Sequence, residues 1–126
     1  QFPFNVLDRR FEKVNMPLGK RYARSILLQG LLASPNRLRS KVSQELLNLQ
    51  KKYHEKLATQ DIKPVDFAIS FVAKNNAVDY FLIGIDSANQ IKEILNTEIF
   101  NQQFTNNLNE LSFNNTEKWL DPRTWS

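Results

Sequence analysis

The segment from Val78 to Gly84 constrains the fold more than any other part of the sequence. Its centre, Tyr80-Phe81-Leu82-Ile83, places apolar side chains on both faces of a strand. A strand of this kind is typical of a parallel sheet that is covered on both sides. It needs a hydrogen-bonded neighbour at each edge, but the sequence predicts only one further strand, Lys20 to Arg24, and a strand end within Phe2 to Leu7.

Three helices are predicted from apolar spacing and from residues suited to helix starts. The longest carries apolar residues at steps of three or four, with Ser40 or Ser43 as its N-cap: Val42, Leu46, Leu49, Tyr53 and Leu57. Pro64 suits the first turn of a second helix. Asp86 or Ser87 can cap a third helix, which continues through Ile91, Ile94 and Leu95.

Two further helices are predicted on weaker signals. One begins at Asp8 and carries Phe11, Val14 and Leu18 before Pro17 and Gly19 end it, and the other runs from about Glu98 to Leu111. Helices and strands then alternate along the chain, which is typical of α/β units around a parallel sheet. Two strands and a strand end cannot complete such a sheet, so we expect the chain to be incomplete by itself.

Composition narrows the classes of partner. The net charge of +4 arises from 17 Lys and Arg against 13 Asp and Glu, but the basic residues are scattered, so we predict no nucleic-acid partner. The sequence has no cysteine, which excludes disulfides and thiolate chemistry and favours the cytoplasm. No apolar stretch approaches the roughly 20 residues that span a bilayer, so no membrane association is expected.

Side chains that could act as acids, bases or metal ligands are better interpreted as structural. Tyr22, Tyr53 and Tyr80 fall within predicted strands or a helix, where packing is the simpler role. His54 has no second ligand at a suitable spacing, so we predict no metal site.

Three segments carry a specific resemblance. The first is Gln1-Phe2-Pro3-Phe4-Asn5-Val6-Leu7, the second runs from Arg24 to Leu32 as Arg-Ser-Ile-Leu-Leu-Gln-Gly-Leu-Leu, and the third runs from Ile83 to Glu93. In this order they resemble the sixth-strand segment, seventh-strand loop and eighth-strand motif of the aldo/keto reductase family. The tail Leu120-Asp121-Pro122-Arg123-Thr124-Trp125 is similar to the ending of a bacterial subgroup.

The resemblance implies a fold. Residues 1–126 would be the C-terminal part of an α/β (β/α)8 TIM barrel, incomplete by itself, with 112–126 as an irregular C-terminal tail. Between Phe11 and Tyr22 the chain is several residues shorter than the family pattern, which implies either a shortened helix or residues missing from the sequence.

The first two segments imply contacts with a nicotinamide dinucleotide. Gln1 would contact the nicotinamide carboxamide. Ser25 would offer its hydroxyl and amide to the pyrophosphate, Leu27 its backbone, and Gly30 the space for close approach. Arg24 replaces the aromatic residue that stacks on the nicotinamide ring in the family, and its guanidinium could stack there or bind an anionic substrate.

The third segment implies contacts at the adenosine end. Gln90 and Glu93 fit the family's helix motif, whereas Ile94 replaces the Asn that often touches adenine. Asp86 falls where members that prefer NADPH present Ser, Arg or Lys to the 2′-phosphate. The resemblance implies NAD or NADP as the cofactor, and NAD is slightly favoured because a carboxylate repels that dianion.

The function implied is that of an NAD(P)-dependent oxidoreductase reducing an aldehyde or ketone. The chain would carry no catalytic residue, because the family's Asp, Tyr, Lys and His lie on the first four strands. Its partners would be the dinucleotide, a small carbonyl substrate and an N-terminal half of the barrel, and the chain alone would be inactive. One alternative is a catalytically inactive binding or scaffold protein of this fold. Another is a free-standing small helical domain that packs Phe100 and Phe104 against four apolar residues: Val42, Leu46, Leu49 and Val65.

Overall fold

Three short strands form one parallel sheet in the computed structural model. The structure describes residues 1–15, 17–37, 42–99 and 121–125. Strand β1 (Phe2–Pro3) pairs with β2 (Tyr22–Arg24), which pairs with β3 (Tyr80–Phe81), and both pairings are parallel. Their order in the sheet follows their order in the sequence. The expected mixture of helices with a parallel sheet is therefore confirmed.

The three helices predicted with clear start signals are present. They are α1 (Gln44–Ala58), α2 (Pro64–Ala73) and α3 (Ala88–Leu95). The hydroxyl of Ser43 accepts the backbone N–H of Leu46 at 3.3 Å and caps α1. These helices begin where predicted because their start signals lie within the first turn and need no distant contact.

Helices α1 and α2 share one core with the strands and with the segments that follow β1 and β2. All residues of α2 from Asp66 to Val72 are buried, and the Tyr53 hydroxyl on α1 donates to the carbonyl oxygen of Pro64 at 2.8 Å, which joins the two helices. Burial raises the pKa of Tyr53 well above its usual value. The apolar residues with less than 2% exposure include Phe4, Val6, Leu7, Ile26, Leu28, Leu31, Leu32, Leu46, Leu57 and Phe67.

The predicted helix from Asp8 to Leu18 is wrong. The described residues of this segment form successive turns, in which Glu12 N–H donates to Arg9 O and Val14 N–H donates to Phe11 O. These bonds span three residues and do not propagate into an α-helix. A segment this short before Pro17 cannot recover the cost of helix nucleation when Phe11 packs against the core but Val14 and Leu18 are exposed.

The predicted burial of both faces of β3 is also wrong for this chain. Tyr80 is 49% exposed and Leu82 is 43% exposed, and β3 forms the outer edge of the sheet. The apolar pattern is real, but the described residues place no element over that face.

Some predictions lie outside the described residues. They concern the cap Ser40, the helix from Glu98 to Leu111 beyond Ile99, the packing of Phe100 and Phe104, and the tail 112–126 except its 3-10 helix Pro122–Trp125. Within the part that the structure describes, no helix is both long and apolar enough to cross a membrane.

Candidate functional site

A cavity opens at the carboxyl ends of β2 and β3. In parallel sheets this edge is where ligands commonly bind, because the loops that leave neighbouring strands meet there. The cavity has a volume of about 560 Å³ and lies between the loop after β2 and the segment that joins β3 to α3. Its size falls within the usual range for small-molecule sites.

The loop after β2 has an unusual backbone. Ser25, Leu28 and Gln29 have φ values of 59°, 46° and 52°, and Gly30 has a φ of 88°. A left-handed conformation costs a residue other than glycine about 1 to 3 kcal/mol, and such residues cluster at functional sites. The surrounding structure must therefore hold this loop in place.

Asn5 anchors the start of the loop. Its side chain is fully buried, and its Nδ2 donates to the carbonyl oxygen of Ser25 at 3.0 Å. Its Oδ1 accepts the backbone N–H groups of Leu7 and Asp8, both at 2.9 Å. The residues after β1 are thereby tied to the first residue after β2.

Two buried side chains of α1 hold the far end of the loop. Nε2 of Gln50 donates to the carbonyl oxygens of Leu31, Ser34 and Arg37 at 3.1, 3.2 and 3.3 Å. Nε2 of His54 lies 2.8 Å from the Leu31 carbonyl oxygen. Helix α1 therefore fixes the backbone from Leu31 to Arg37, directly after the strained turn.

The opposite wall is formed by the segment between β3 and α3. Gln90 forms two local hydrogen bonds. Its Oε1 accepts the backbone N–H of Asp86 at 2.7 Å, and its own backbone N–H donates to the Ser87 hydroxyl at 3.3 Å. Asp86 and Glu93 line this wall, and both residues are exposed. This side of the cavity is therefore acidic. The hydrogen bonds of Gln90 fix its backbone at the start of α3.

The structure brings together six of the eight residues implied as cofactor contacts: Ser25, Leu27, Gly30, Asp86, Gln90 and Glu93 line the cavity. Gln1 and Arg24 are absent from its lining. Gln1 precedes β1 and is exposed, whereas Arg24 ends β2 and its Nη1 lies 3.4 Å from the Ser25 hydroxyl, to which it donates. The structure therefore does not bring the two residues implied at the nicotinamide end into the cavity.

The C-terminal segment brings further charge near Arg24. Arg123 forms an ion pair with Asp121 and, by hydrogen bonding to that carboxylate, lowers the pKa of Asp121 to about 2, with a smaller contribution from the field of Arg24. Trp125 is buried at the end of this segment and belongs to the core.

Sequence reasoning missed Asn5, Arg37 and Gln50 as individual contributors. Asn5 stood within a recognised segment but carried no role, and Gln50 looked like an ordinary polar helix residue. Arg37 was one of many scattered cations. Its proximity to Gly30 results from a chain reversal that no local pattern encodes.

Comparisons with known proteins agree with this architecture. No protein-family model matches the chain, and no curated protein matches its sequence. An aldo-keto reductase from Bacillus halodurans in its apo form superposes with a TM-score of 0.70 at 18% identity, covering 92% of this chain. The holo form gives a TM-score of 0.69 at the same identity and coverage.

The likeness extends over part of the reductase only. This chain spans 44% of the apo chain and 43% of the holo chain. At this identity the comparison establishes an aldo-keto reductase-like fold for nearly all of the present sequence.

Proposed function

We propose that this chain is the cofactor-binding part of an oxidoreductase of the aldo/keto reductase type. The cavity between the strained loop after β2 and the acidic turn before α3 carries the proposal. It occupies the ligand-binding edge of a sheet whose fold resembles a reductase, and it gathers most of the residues implied as cofactor contacts.

The residues present fit a dinucleotide. Gly30 leaves room that a side chain would fill, because a Cβ there would lie 3.2 Å from Nε of Arg37. Ser25 presents a hydroxyl, and Leu27 contributes backbone to the same wall. Apolar residues complete the lining, including Val65, Leu82 and Ile83, which suits the ring systems of a nucleotide.

At the other end, Asp86 and Glu93 suit a ribose without a phosphate. A ribose hydroxyl can donate to a carboxylate, whereas a 2′-phosphate would be repelled by two negative charges. We therefore propose NAD rather than NADP. Arg24 and Gln1 would border the nicotinamide end, with the guanidinium in place of a stacking aromatic ring.

A bound nicotinamide dinucleotide would supply or accept a hydride, with an aldehyde or ketone as the substrate. The present residues would bind and orient it, and the strained loop would hold its contacts in place. We propose that an N-terminal barrel half supplies the remaining strands and the proton donor, and that the protein works in the cytoplasm. Residues 1–126 would form the C-terminal portion of that barrel, with 112–126 as its irregular tail.

A catalytically inactive binding protein of the same fold is the second candidate. It is favoured by Arg24, whose guanidinium donates to the Ser25 hydroxyl at a position where the family has an aromatic ring. Both candidates bind the dinucleotide, and turnover with a panel of aldehydes separates them.

Nucleotide titration of the native protein tests the proposal. We expect NADH to bind at least about tenfold more tightly than NADPH, a difference of about 1.4 kcal/mol. Asp86→Ser should narrow that ratio by improving NADPH binding. Nucleotide fluorescence measures both constants, and failure to bind either nucleotide would overturn the proposal.

Two glycines provide a matched test of the site. Gly30→Ala should weaken NADH binding about tenfold, because the methyl group would crowd Arg37 and because φ is +88°. Gly19→Ala is the control, since Gly19 also has a positive φ, +145°, but has nothing within 4 Å of its Cβ position and does not line the cavity. Equal affinity in both variants would place the nucleotide elsewhere.

A further inference from the structure

The side chain of Arg37 lies against the strained turn. A Cβ built on Gly30 would be 3.2 Å from Nε, 3.3 Å from Cγ and 3.5 Å from Cδ of Arg37. The arginine stem therefore crosses the glycine at contact distance. Arg37 also lines the cavity together with Ser25 and the backbone of the turn.

The backbone that carries this arginine is fixed. Its N–H donates to the Ser34 carbonyl oxygen at 3.3 Å, and its own carbonyl oxygen accepts Nε2 of Gln50 at 3.3 Å. Gln50 is 3% exposed. The residue is anchored through its main chain, whereas its side chain is exposed at the mouth of the cavity.

Charge divides the cavity into two sides. Arg37 is the sole cationic side chain among the described residues that line it, and the acidic ones, Asp86 and Glu93, lie on the wall formed before and within α3. No ion pair or side-chain hydrogen bond joins the guanidinium of Arg37 to another described residue. A guanidinium beside the backbone of a glycine turn can donate charge-assisted hydrogen bonds to a phosphate anion.

We propose that Arg37 is the residue that neutralises the diphosphate of the bound dinucleotide. This inference rests on the function proposed above, and it assigns the anionic part of the cofactor to the Gly30 side of the cavity. The carboxylates on the other wall then face the uncharged ribose. Gly30 serves two roles in this arrangement, since it permits the turn and lets the guanidinium stem pass over it.

The binding constant of the native protein for NADH tests this assignment. Arg37→Gln should raise the dissociation constant by about tenfold or more, because it removes a charge-assisted hydrogen bond. Arg37→Lys should restore part of the affinity. Lys51→Gln is the matched control: it removes the same charge from a side chain that is 75% exposed on α1 and lies outside the cavity, and it should leave the constant unchanged.

The salt dependence of binding distinguishes a charge role from a packing role. Affinity of the wild type for ADP-ribose should fall as salt rises, and Arg37→Gln should flatten that slope. Binding of adenosine, which has no phosphate, should be equal in wild type and variant. If Arg37→Gln binds NADH as tightly as wild type, or loses adenosine to the same extent, the assignment is wrong while the proposed function stands. If the wild type binds no dinucleotide, both are overturned.

Discussion

His54 shows how one residue links the core to the loop around the cavity. It is 7% exposed, and its Nε2 lies 2.8 Å from a carbonyl oxygen, that of Leu31, which can only accept a hydrogen bond. Nε2 must therefore carry the proton. Nδ1 is buried and has no hydrogen-bond partner among the described residues. A second proton there would create a charge without compensation, so burial lowers the pKa of His54, although the Leu31 bond acts in the opposite direction.

Stability should therefore fall on acidification because of this residue. In the unfolded chain the imidazole takes up a proton near its ordinary pKa of about 6.5, whereas the folded state resists until a lower pH. The stabilising contribution is complete above about pH 6.5 and is lost as pH falls towards the lowered pKa. Denaturant unfolding of the native protein from pH 8 to pH 5 would measure this slope.

His54→Gln provides the comparison for that measurement. Glutamine can still donate to the Leu31 carbonyl oxygen, but it does not titrate. The variant should lose less unfolding free energy than wild type between pH 6.5 and pH 5. Parallel profiles of the two proteins would contradict the buried neutral state of His54.

At the scale of elements, local sequence signals predicted the helix starts correctly. The sequence did not predict how distant segments pack against each other. Ser43, Pro64 and Ser87 mark helix starts that the structure confirms, since capping depends on neighbouring residues. The segment after Asp8 has an N-cap residue, but Val14 and Leu18 of its predicted apolar face are exposed and only Phe11 packs against the core, so it forms turns.

The candidate site shows the same division. The glycine turn after β2 could be located in the sequence, because its pattern is contiguous. The contact between Gly30 and Arg37 depends on how α1 packs against the loop, and so do the hydrogen bonds from Gln50 to the loop carbonyl oxygens. Sequence spacing alone contains no information about that packing.

The two serine caps should have different consequences when removed. Helix α1 has 15 residues with five buried, so Ser43→Ala should lower the free energy of unfolding by about 1 kcal/mol and leave the cavity intact. Helix α3 has eight residues with none buried, so Ser87→Ala should fray its first turn and release Gln90. Hydrogen exchange of residues 86–96 and NADH titration would measure the difference. Weaker NADH binding in Ser43→Ala alone would contradict it.

At the scale of the whole molecule, the parallel sheet is small. It has three strands of two or three residues, and the chain spans 44% of the reductase that it resembles. Parallel sheets are normally covered on both faces, because their crossover connections place helices there. The described residues leave exposed the side chain of Tyr80 in the outer strand and that of Leu82 directly after it.

Substitution of Leu82 tests whether further protein packs against β3 in the native protein or whether this face is exposed to solvent. If an N-terminal barrel half packs on β3 in the native protein, Leu82→Lys would bury an unpaired ammonium and lower the unfolding free energy by about 2 kcal/mol or more. Leu18→Lys is the control, because Leu18 is fully exposed in a turn and should change stability by less than about 0.5 kcal/mol. Because Leu82 also lines the cavity, denaturant titration of the native protein is carried out without nucleotide and gives both values. A loss at Leu82 as small as that at Leu18 would mean that water, and not further barrel strands, covers this face, and the proposed barrel would then have to close in another way.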